Sequence, residues 1–173
     1  RLDAAADADG DAVRMLAALA TTDASNTDWQ QELAQSRLES ARLELARGAI
    51  GRAREQAAPA LATIRTLLAK RPDDRGSLLL ASQAYAVMGR IEAQRDPNAA
   101  RDFWVQARDA VAPAARSGND PNLLAAWTGA LLLLGDTDAA RPLVARLSAM
   151  GYTTADLVAL AGPRQRDWPD DTT

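Results

Sequence analysis

The apolar residues of this chain are grouped in segments rich in Ala and Leu, and three polar stretches separate those segments. The polar stretches are residues 25–29, 71–74 and 117–121. Each offers an Asp or Asn that can cap the start of a helix, and Pro121 follows the last cap, at the first helical position, where proline is favoured. The pattern therefore predicts a series of helices that begin just after the polar stretches.

Three glycines lie about midway between the polar stretches, and each predicts a turn or the end of a helix. They are Gly48, Gly89 and Gly135. Together the two kinds of signal predict pairs of helices, each pair forming a hairpin interrupted by a glycine. The predicted helices cover residues 3–20, 28–47, 50–70, 75–94, 98–116, 122–134, 137–149 and 154–161.

The composition agrees with a helical fold and with a single domain. The chain has 173 residues, 47% of them hydrophobic and only 4% aromatic. Its apolar residues are mainly Ala and Leu, which favour helices, whereas the residues typical of strands are scarce. We therefore predict an all-α fold with one domain over residues 1–161. A flexible tail is expected over residues 162–173, which contain two Pro and three Asp.

Small and large residues recur at fixed distances from the three glycines. The series begins five residues after Gly48 and Gly135, and it appears after Gly89 only when about six residues are inserted. Two large residues, Tyr85 and Leu131, stand four positions before Gly89 and Gly135. The recurring positions are Ala53, Ala57 and Ala60, then Ala100, Trp104 and Ala107, and finally Ala140, Val144 and Leu147.

This register resembles that of the tetratricopeptide (TPR) family, a helix-turn-helix repeat of about 34 residues. The resemblance covers roughly residues 28–150 and implies a solenoid of about three helical hairpins with flanking helices. The first two units are longer than a standard repeat, and Glu44 stands where an aromatic residue is expected before Gly48. The repeats are therefore expected to be degenerate, and a plain helical bundle with accidental register is the alternative.

A second resemblance concerns residues 26–34, which read Asn-Thr-Asp-Trp-Gln-Gln-Glu-Leu-Ala, and the closing segment over residues 150–160. Both are similar to TPR-like regions joined to bacterial eukaryotic-type transmembrane serine/threonine kinases. The resemblance implies a sensor or regulatory role for a C-terminal repeat region, because none of the kinase motifs lies in this chain. The expected compartment is periplasmic if the chain is attached to such a kinase and cytoplasmic otherwise.

In a TPR array the first helix of each pair faces the concave surface, so the resemblance implies a binding surface for a protein or peptide. The surface is expected to suit a helix or an extended apolar peptide. Of the basic and amide clamp with which chaperone-binding TPRs hold a C-terminal carboxylate, only Arg42 is present. The candidate partner-binding residues are Gln35, Leu38, Arg42, Leu79, Gln83 and Asn122, together with Gly76, Ala125 and Gly129.

The residue types that most catalysis needs are missing from the sequence. The chain has no His and no Cys, which excludes imidazole bases, thiolate chemistry and zinc sites built on these residues. Residues 7–11 begin like an EF-hand calcium loop, but Ala12 and Ala18 stand where that loop needs Gly and Glu. We therefore expect no catalytic residue, no metal site and no cofactor, and an enzyme is the weakest interpretation.

Charge is spread unevenly along the chain. Residues 37–116 carry a net charge of +5, whereas the residues before and after them carry −5 and −3. Two interpretations are open: solvated helix faces, or a basic centre that attracts an acidic partner. The acidic net charge of −3 argues against a nucleic acid partner. The longest apolar run is about seven residues, far short of the 20 or so in a membrane span, so we expect no membrane contact.

The four tryptophans have different expected positions. Trp104 and Trp127 fall at helical positions typical of a repeat core, and Trp29 begins a helix, where it can pack against the previous one. Trp168 lies beside Pro169 in the predicted tail and is a candidate for an exposed contact.

Two further functions stay open from the sequence alone. The ends of a repeat array are apolar unless capped, so the chain can be a scaffold that self-associates into a homodimer. An apolar groove between helices can also bind a small ligand.

Overall fold

The computed structural model describes residues 2–152 and residue 154, and these form helices and short connections with no strand. The all-α fold class is therefore confirmed for the described part of the chain. The helix ends differ from the predicted ones by no more than two residues. Apart from Thr154, the predicted helix over 154–161 and the tail over 162–173 lie outside the described residues, so the single domain stays a prediction. The helices are α1 (Leu2–Thr22), α2 (Thr27–Ala46), α3 (Ile50–Lys70), α4 (Arg75–Glu92), α5 (Pro97–Ser117), α6 (Pro121–Leu134) and α7 (Thr137–Ala149).

The three polar stretches start α2, α4 and α6, as predicted. Asn26 accepts hydrogen bonds from two backbone amides of α2, and Asp120 does the same at the start of α6. Asp74 accepts one from the Ser77 amide at 2.8 Å. Each cap satisfies backbone donors that the first turn of a helix leaves without partners, so the helix starts follow from local chemistry.

Two of the three glycines form the predicted turns. Gly48 follows α2 with φ of +75°, and Gly135 follows α6 with φ of +78°. This left-handed backbone lets the Asp136 amide donate to the Leu131 carbonyl at 2.9 Å, and the Ala49 amide to the Glu44 carbonyl at 2.8 Å. Glycine adopts the conformation without strain, which explains its place at both turns.

The predicted turn at Gly89 is wrong. Gly89 lies inside α4, which continues to Glu92, and it is buried. A Cβ atom placed on Gly89 would overlap the Trp104 indole of α5. The extra turn of α4 and the connection before Pro97 account for the inserted residues that the register required. Here glycine allows two helices to approach closely and does not end a helix.

Helices α2, α4 and α6 pack side by side in one row. Each helix packs against the next one in the chain, and α4 also packs against α2 and α6. Among the described residues, α3, α5 and α7 do not contact one another. We call α2, α4 and α6 the inner row and α3, α5 and α7 the outer row.

Alanines bring the two rows close together. Ala53, Ala57 and Ala60 of α3 are buried in a core shared with α2 and α4, and Ala107 of α5 and Ala140 of α7 are also fully buried. A methyl side chain allows a short distance between helix axes while it keeps helix propensity high. The Ala-rich composition is therefore used in packing as well as in helix formation.

Proline occurs inside each helix of the outer row, at Pro59, Pro113 and Pro142. None occurs inside α2, α4 or α6 beyond the first turn. Proline in a helix interior removes one backbone hydrogen bond and favours a bend. Among the described helices of the two rows, interior proline is therefore confined to the outer row.

The tryptophans predicted for the core are partly buried. The Trp127 ring packs against a second core around Val111, Leu124 and Leu147, with the Arg116 guanidinium 5.1 Å from its ring centre. The indole nitrogens of Trp104 and Trp127 are shielded from solvent. Trp29 is partly buried at the start of α2, and Trp168 lies outside the described residues.

Candidate partner-binding cleft

A cleft of about 200 Å³ lies on the inner row, between α4 and α6. Its lining combines aliphatic side chains and a glycine with hydroxyl, amide and guanidinium groups. The segment after α7 reaches the cleft as well. The cleft is lined by Arg42 of α2, by Leu79, Ser82, Gln83, Ala86, Val87 and Arg90 of α4, by Asn122, Ala125, Ala126, Gly129, Ala130 and Leu133 of α6, and by Tyr152 and Thr154.

A second, more polar depression lies between the first turns of α2 and α4. It contains two carboxylates, from Asp28 and Glu32, and three side-chain amides. Leu79 and Gln83 line both depressions, so the two form adjoining parts of one surface. The remaining lining residues are Gln31, Gln35, Gly76 and Leu80.

Most of the predicted partner-binding residues come together on this surface. Arg42, Leu79, Gln83 and Asn122 line the first cleft, together with the predicted Ala125 and Gly129. Gln35 lines the second depression, together with the predicted Gly76.

Leu38 does not belong to the surface. Its side chain is only 1% exposed and packs in the core between α2, α3 and α4. The helical spacing that placed it with Gln35 and Arg42 is correct for α2, but α4 packs over that position. Leu38 therefore supports the cleft from beneath and offers no contact to a partner.

Nine lining residues of the first cleft were not among the predicted ones, and Arg90 and Tyr152 are two of them. Arg90 lies seven residues after Gln83, two turns along the same face of α4, so helical spacing alone could have found it. The predicted helix over 75–94 contained Arg90, but the candidate positions on that helix were only Gly76, Leu79 and Gln83. No local pattern pointed to Tyr152, which reaches the cleft through the path of the chain after α7.

A hydrogen-bonded cluster holds the first turns of α2 and α4 together. The Gln31 amide of α2 donates to Asp74 Oδ2 at 2.7 Å and to Ser77 Oγ at 2.8 Å. Hydrogen bonds from the Ser77 hydroxyl and then from its backbone amide lower the pKa of Asp74, although partial burial opposes them. The carboxylate therefore stays ionised and fixes the angle between two helices of the inner row.

Two buried carboxylates, each paired with arginines, lie at the other end of α2 and α4. Glu44 lies 3.3 Å from Arg47 and 3.1 Å from Arg52, and Glu92 pairs with Arg54 and Arg95. A carboxylate near a helix C-terminus is unfavourable for the helix dipole, so the flanking guanidinium groups offset that cost. Glu44 takes the place of the aromatic residue that the repeat pattern expects, and arginine pairing explains how it is tolerated.

The first cleft is basic and apolar. Its lining contains the guanidinium groups of Arg42 and Arg90 and no carboxylate among the described residues. Arg90 is exposed near the end of α4. A bound group that buries apolar surface here and carries a negative charge would be complementary to both properties.

The described residues contain no group of three or more His, Cys, Asp or Glu placed to hold a metal ion. In the same part of the chain, no helix is both long enough and apolar enough to cross a membrane.

Comparison of the whole chain with known proteins finds no match among family models, curated proteins or solved structures.

Proposed function

We propose that this chain is a non-catalytic interaction domain with a TPR-like solenoid arrangement, whose inner row binds a segment of another protein. The observation that supports it most directly is the packing of α4 against both α2 and α6, while the outer helices stay apart. In a solenoid of helical hairpins, such a row forms the extended binding surface. The absence of His and Cys from the sequence agrees with a binding role.

The cleft favours a protein segment over a small molecule. The first cleft encloses about 200 Å³, below the range of about 300–1,000 Å³ that is usual for drug-sized ligands. It opens onto the second depression, of about 480 Å³, so the two form one surface across α2, α4 and α6. A volume of this size accommodates a few side chains of a peptide whose backbone runs across the surface. The partner is an apolar segment with an acidic group that reaches Arg42 or Arg90.

The resemblance of residues 26–34 to kinase-associated repeat regions suggests the biological setting. We propose that the domain is the sensor or regulatory part of a bacterial signalling protein, where binding in the cleft reports the presence of the partner. That setting would place the domain in the periplasm if a transmembrane kinase precedes it.

Site-specific photo-crosslinking tests the binding function. A photoreactive residue replaces Ala126 in the cleft, and a matched variant replaces Ala62, which is exposed on α3 away from it. Cells that express the full chain are irradiated, and the protein captured through position 126 but not position 62 is purified. Titration then measures its Kd with the unmodified chain and with cleft variants.

Gln83→Ala and Arg90→Ala are expected to raise that Kd about tenfold each, in the range of central interface residues. Arg101→Ala changes an exposed residue of α5 and is expected to leave it unchanged. Equal capture through both positions, or a Kd that neither cleft variant changes, would contradict the proposed function.

One observation favours a second function, self-association. Met15 is 69% exposed and Leu19 is 42% exposed, and both lie on α1. Two such side chains one turn apart form an apolar strip that a second copy can cover. Light scattering over a range of concentrations measures the mass, and dimers that Leu19→Glu abolishes would support this function, whereas a monomer at every concentration would exclude it.

A further inference from the structure

After α7 the chain turns back onto the inner row. Gly151 has φ of +67°, and the Tyr152 amide donates to the Leu147 carbonyl at 2.9 Å, which closes the end of α7. The Tyr152 hydroxyl donates to Asn122 Oδ1 at 2.6 Å, at the start of α6. Two residues later, Thr154 lines the cleft together with Asn122. Thr154, the last described residue, is therefore part of the cleft lining, and the chain continues from this position.

From this path we infer that residues 155–161 of the same chain dock in the cleft between α4 and α6. Their sequence is Ala-Asp-Leu-Val-Ala-Leu-Ala, which is apolar except for Asp156. The described lining of the cleft includes seven aliphatic side chains and two arginines and contains no carboxylate. The segment that follows Thr154 thus has the apolar surface and the negative charge to which the cleft is complementary.

The net charge of the residues that follow this segment also favours docking in the cleft. Residues 162–173 contain one more acidic than basic residue, whereas residues 37–116, which supply α3, α4, most of α5 and part of α2, carry +5. The most basic stretch of the sequence, which includes α4, and the end of the chain therefore carry net charges of opposite sign. Attraction of this kind favours docking of the C-terminal segment over the acidic first helix, where like charges would meet.

The length of the segment is sufficient. The cleft runs along α6 from Asn122 to Leu133, which is about 16 Å at the helical rise of 1.5 Å per residue. Seven residues span about 10 Å as a helix or up to about 25 Å when extended. Either conformation covers a large part of the cleft starting from Thr154, and no hinge elsewhere in the chain is needed.

Docking has a consequence that rests on the proposed function. A tethered segment competes at an effective concentration in the millimolar range, so a separate partner must displace it before binding. The segment would then set a threshold on the affinity or concentration of the partner. The docking itself does not depend on any partner.

Disulfide trapping in the full chain tests the docking, because the chain has no Cys of its own. One variant carries Ala86→Cys in the cleft with Leu157→Cys in the segment. The matched control carries Ala62→Cys, on the exposed face of α3, with the same Leu157→Cys. A second cleft variant, Gln83→Cys with Leu160→Cys, covers the case that the first does not fold. Thermal unfolding of the reduced proteins identifies the variants that are folded.

The folded cleft variant is expected to oxidise to an intramolecular disulfide about tenfold or more faster than the control, independently of protein concentration. Equal rates for cleft and control would overturn the inference. Disulfide-linked dimers, formed at a rate that rises with concentration, would also overturn it and assign the cleft to a second copy.

The docking and the proposed function can fail separately. An intramolecular disulfide without any captured partner would leave the docking in place and remove the binding function. A captured partner whose Kd depends on Gln83 and Arg90, together with a cleft variant that forms no disulfide, would support the binding function and remove the docking. If both hold, Asp156→Arg is expected to lower the Kd of the partner about threefold or more, because it removes the competing charge from the segment.

Discussion

Gly89 and Gly135 occupy the same place in the repeat register but have different structural roles. Gly135 follows α6 with φ of +78°, and an added Cβ would meet nothing within 4 Å. Gly89 lies in the middle of packed helices, and an added Cβ would overlap Trp104. One position needs the backbone freedom of glycine, whereas the other needs the absence of a side chain.

The two glycines stand at or near helix connections of different length, one between α6 and α7 and the other between α4 and α5. The connection from α6 to α7 is a tight turn at Gly135 and Asp136, so the two helices form a short hairpin. At the other junction α4 continues one turn past Gly89, where Glu92 pairs with Arg54 and Arg95, and α5 starts only at Pro97. Because α4 continues past Gly89, Arg90 lies on a helix of the inner row and lines the cleft.

The largest expected effect is that of Trp104→Ala, which removes the side chain that packs against Gly89. We expect a loss of about 3 kcal/mol in the free energy of unfolding, because a large ring leaves a cavity between two helices. Urea denaturation followed by circular dichroism measures it. A loss below about 1 kcal/mol would show that the α4–α5 junction does not depend on this contact.

Gly89→Ala is expected to cost about 2 kcal/mol, as an overpacked site does. The same measurement in the Trp104→Ala background separates sterics from backbone effects. There the cost of Gly89→Ala should vanish or change sign, because alanine favours a helix interior once the indole is gone. Additive effects of the two changes would refute the close-packing role of Gly89.

Gly135→Ala is expected to cost about 1 kcal/mol, because a Cβ atom disfavours the left-handed backbone even with open space around it. Gly135→Asn should cost less, since asparagine tolerates this conformation better. Neither change should couple to Trp104→Ala. Coupling in a double-mutant cycle would mean that the two glycines differ less than the geometry indicates.

The smallest effects concern the caps that start the second helix of each junction. Asp96 accepts hydrogen bonds from the Asn98 and Ala99 amides at 3.1 and 3.0 Å, whereas Asp136 accepts one from Ala139 at 3.3 Å. We expect Asp96→Ala to cost about 1 kcal/mol and Asp136→Ala about 0.5 kcal/mol. Thermal unfolding can rank the two variants, and the reverse order would show that the turn at Gly135 depends on its cap.

Much of the fold could be read from local residue chemistry. The helix starts at Asn26, Asp74 and Asp120 follow from side chains that bond to amides two or three residues away. The turns at Gly48 and Gly135 follow from the backbone that glycine permits. Such interactions connect residues close in sequence, so they leave a recognisable pattern.

The candidate site was only partly predictable, because it depends on contacts between helices as well as on local patterns. Arg42, Leu79, Gln83 and Asn122 line one cleft, and the resemblance to a TPR array had placed them on one surface by their spacing along each helix. Leu38 shares that spacing on α2 but is covered by α4, and spacing within one helix cannot show which neighbour covers it.

Local residue chemistry therefore predicts the seven described helices, the caps of α2, α4 and α6 and two of the glycine turns, because short-range hydrogen bonding and helix propensity control them. Long-range packing, in contrast, determines that Gly89 faces Trp104, that Leu38 is core and that Tyr152 and Thr154 line the cleft. Those outcomes depend on contacts between residues far apart in the chain. The packing of whole helices determines these contacts, and no local sequence pattern encodes that packing.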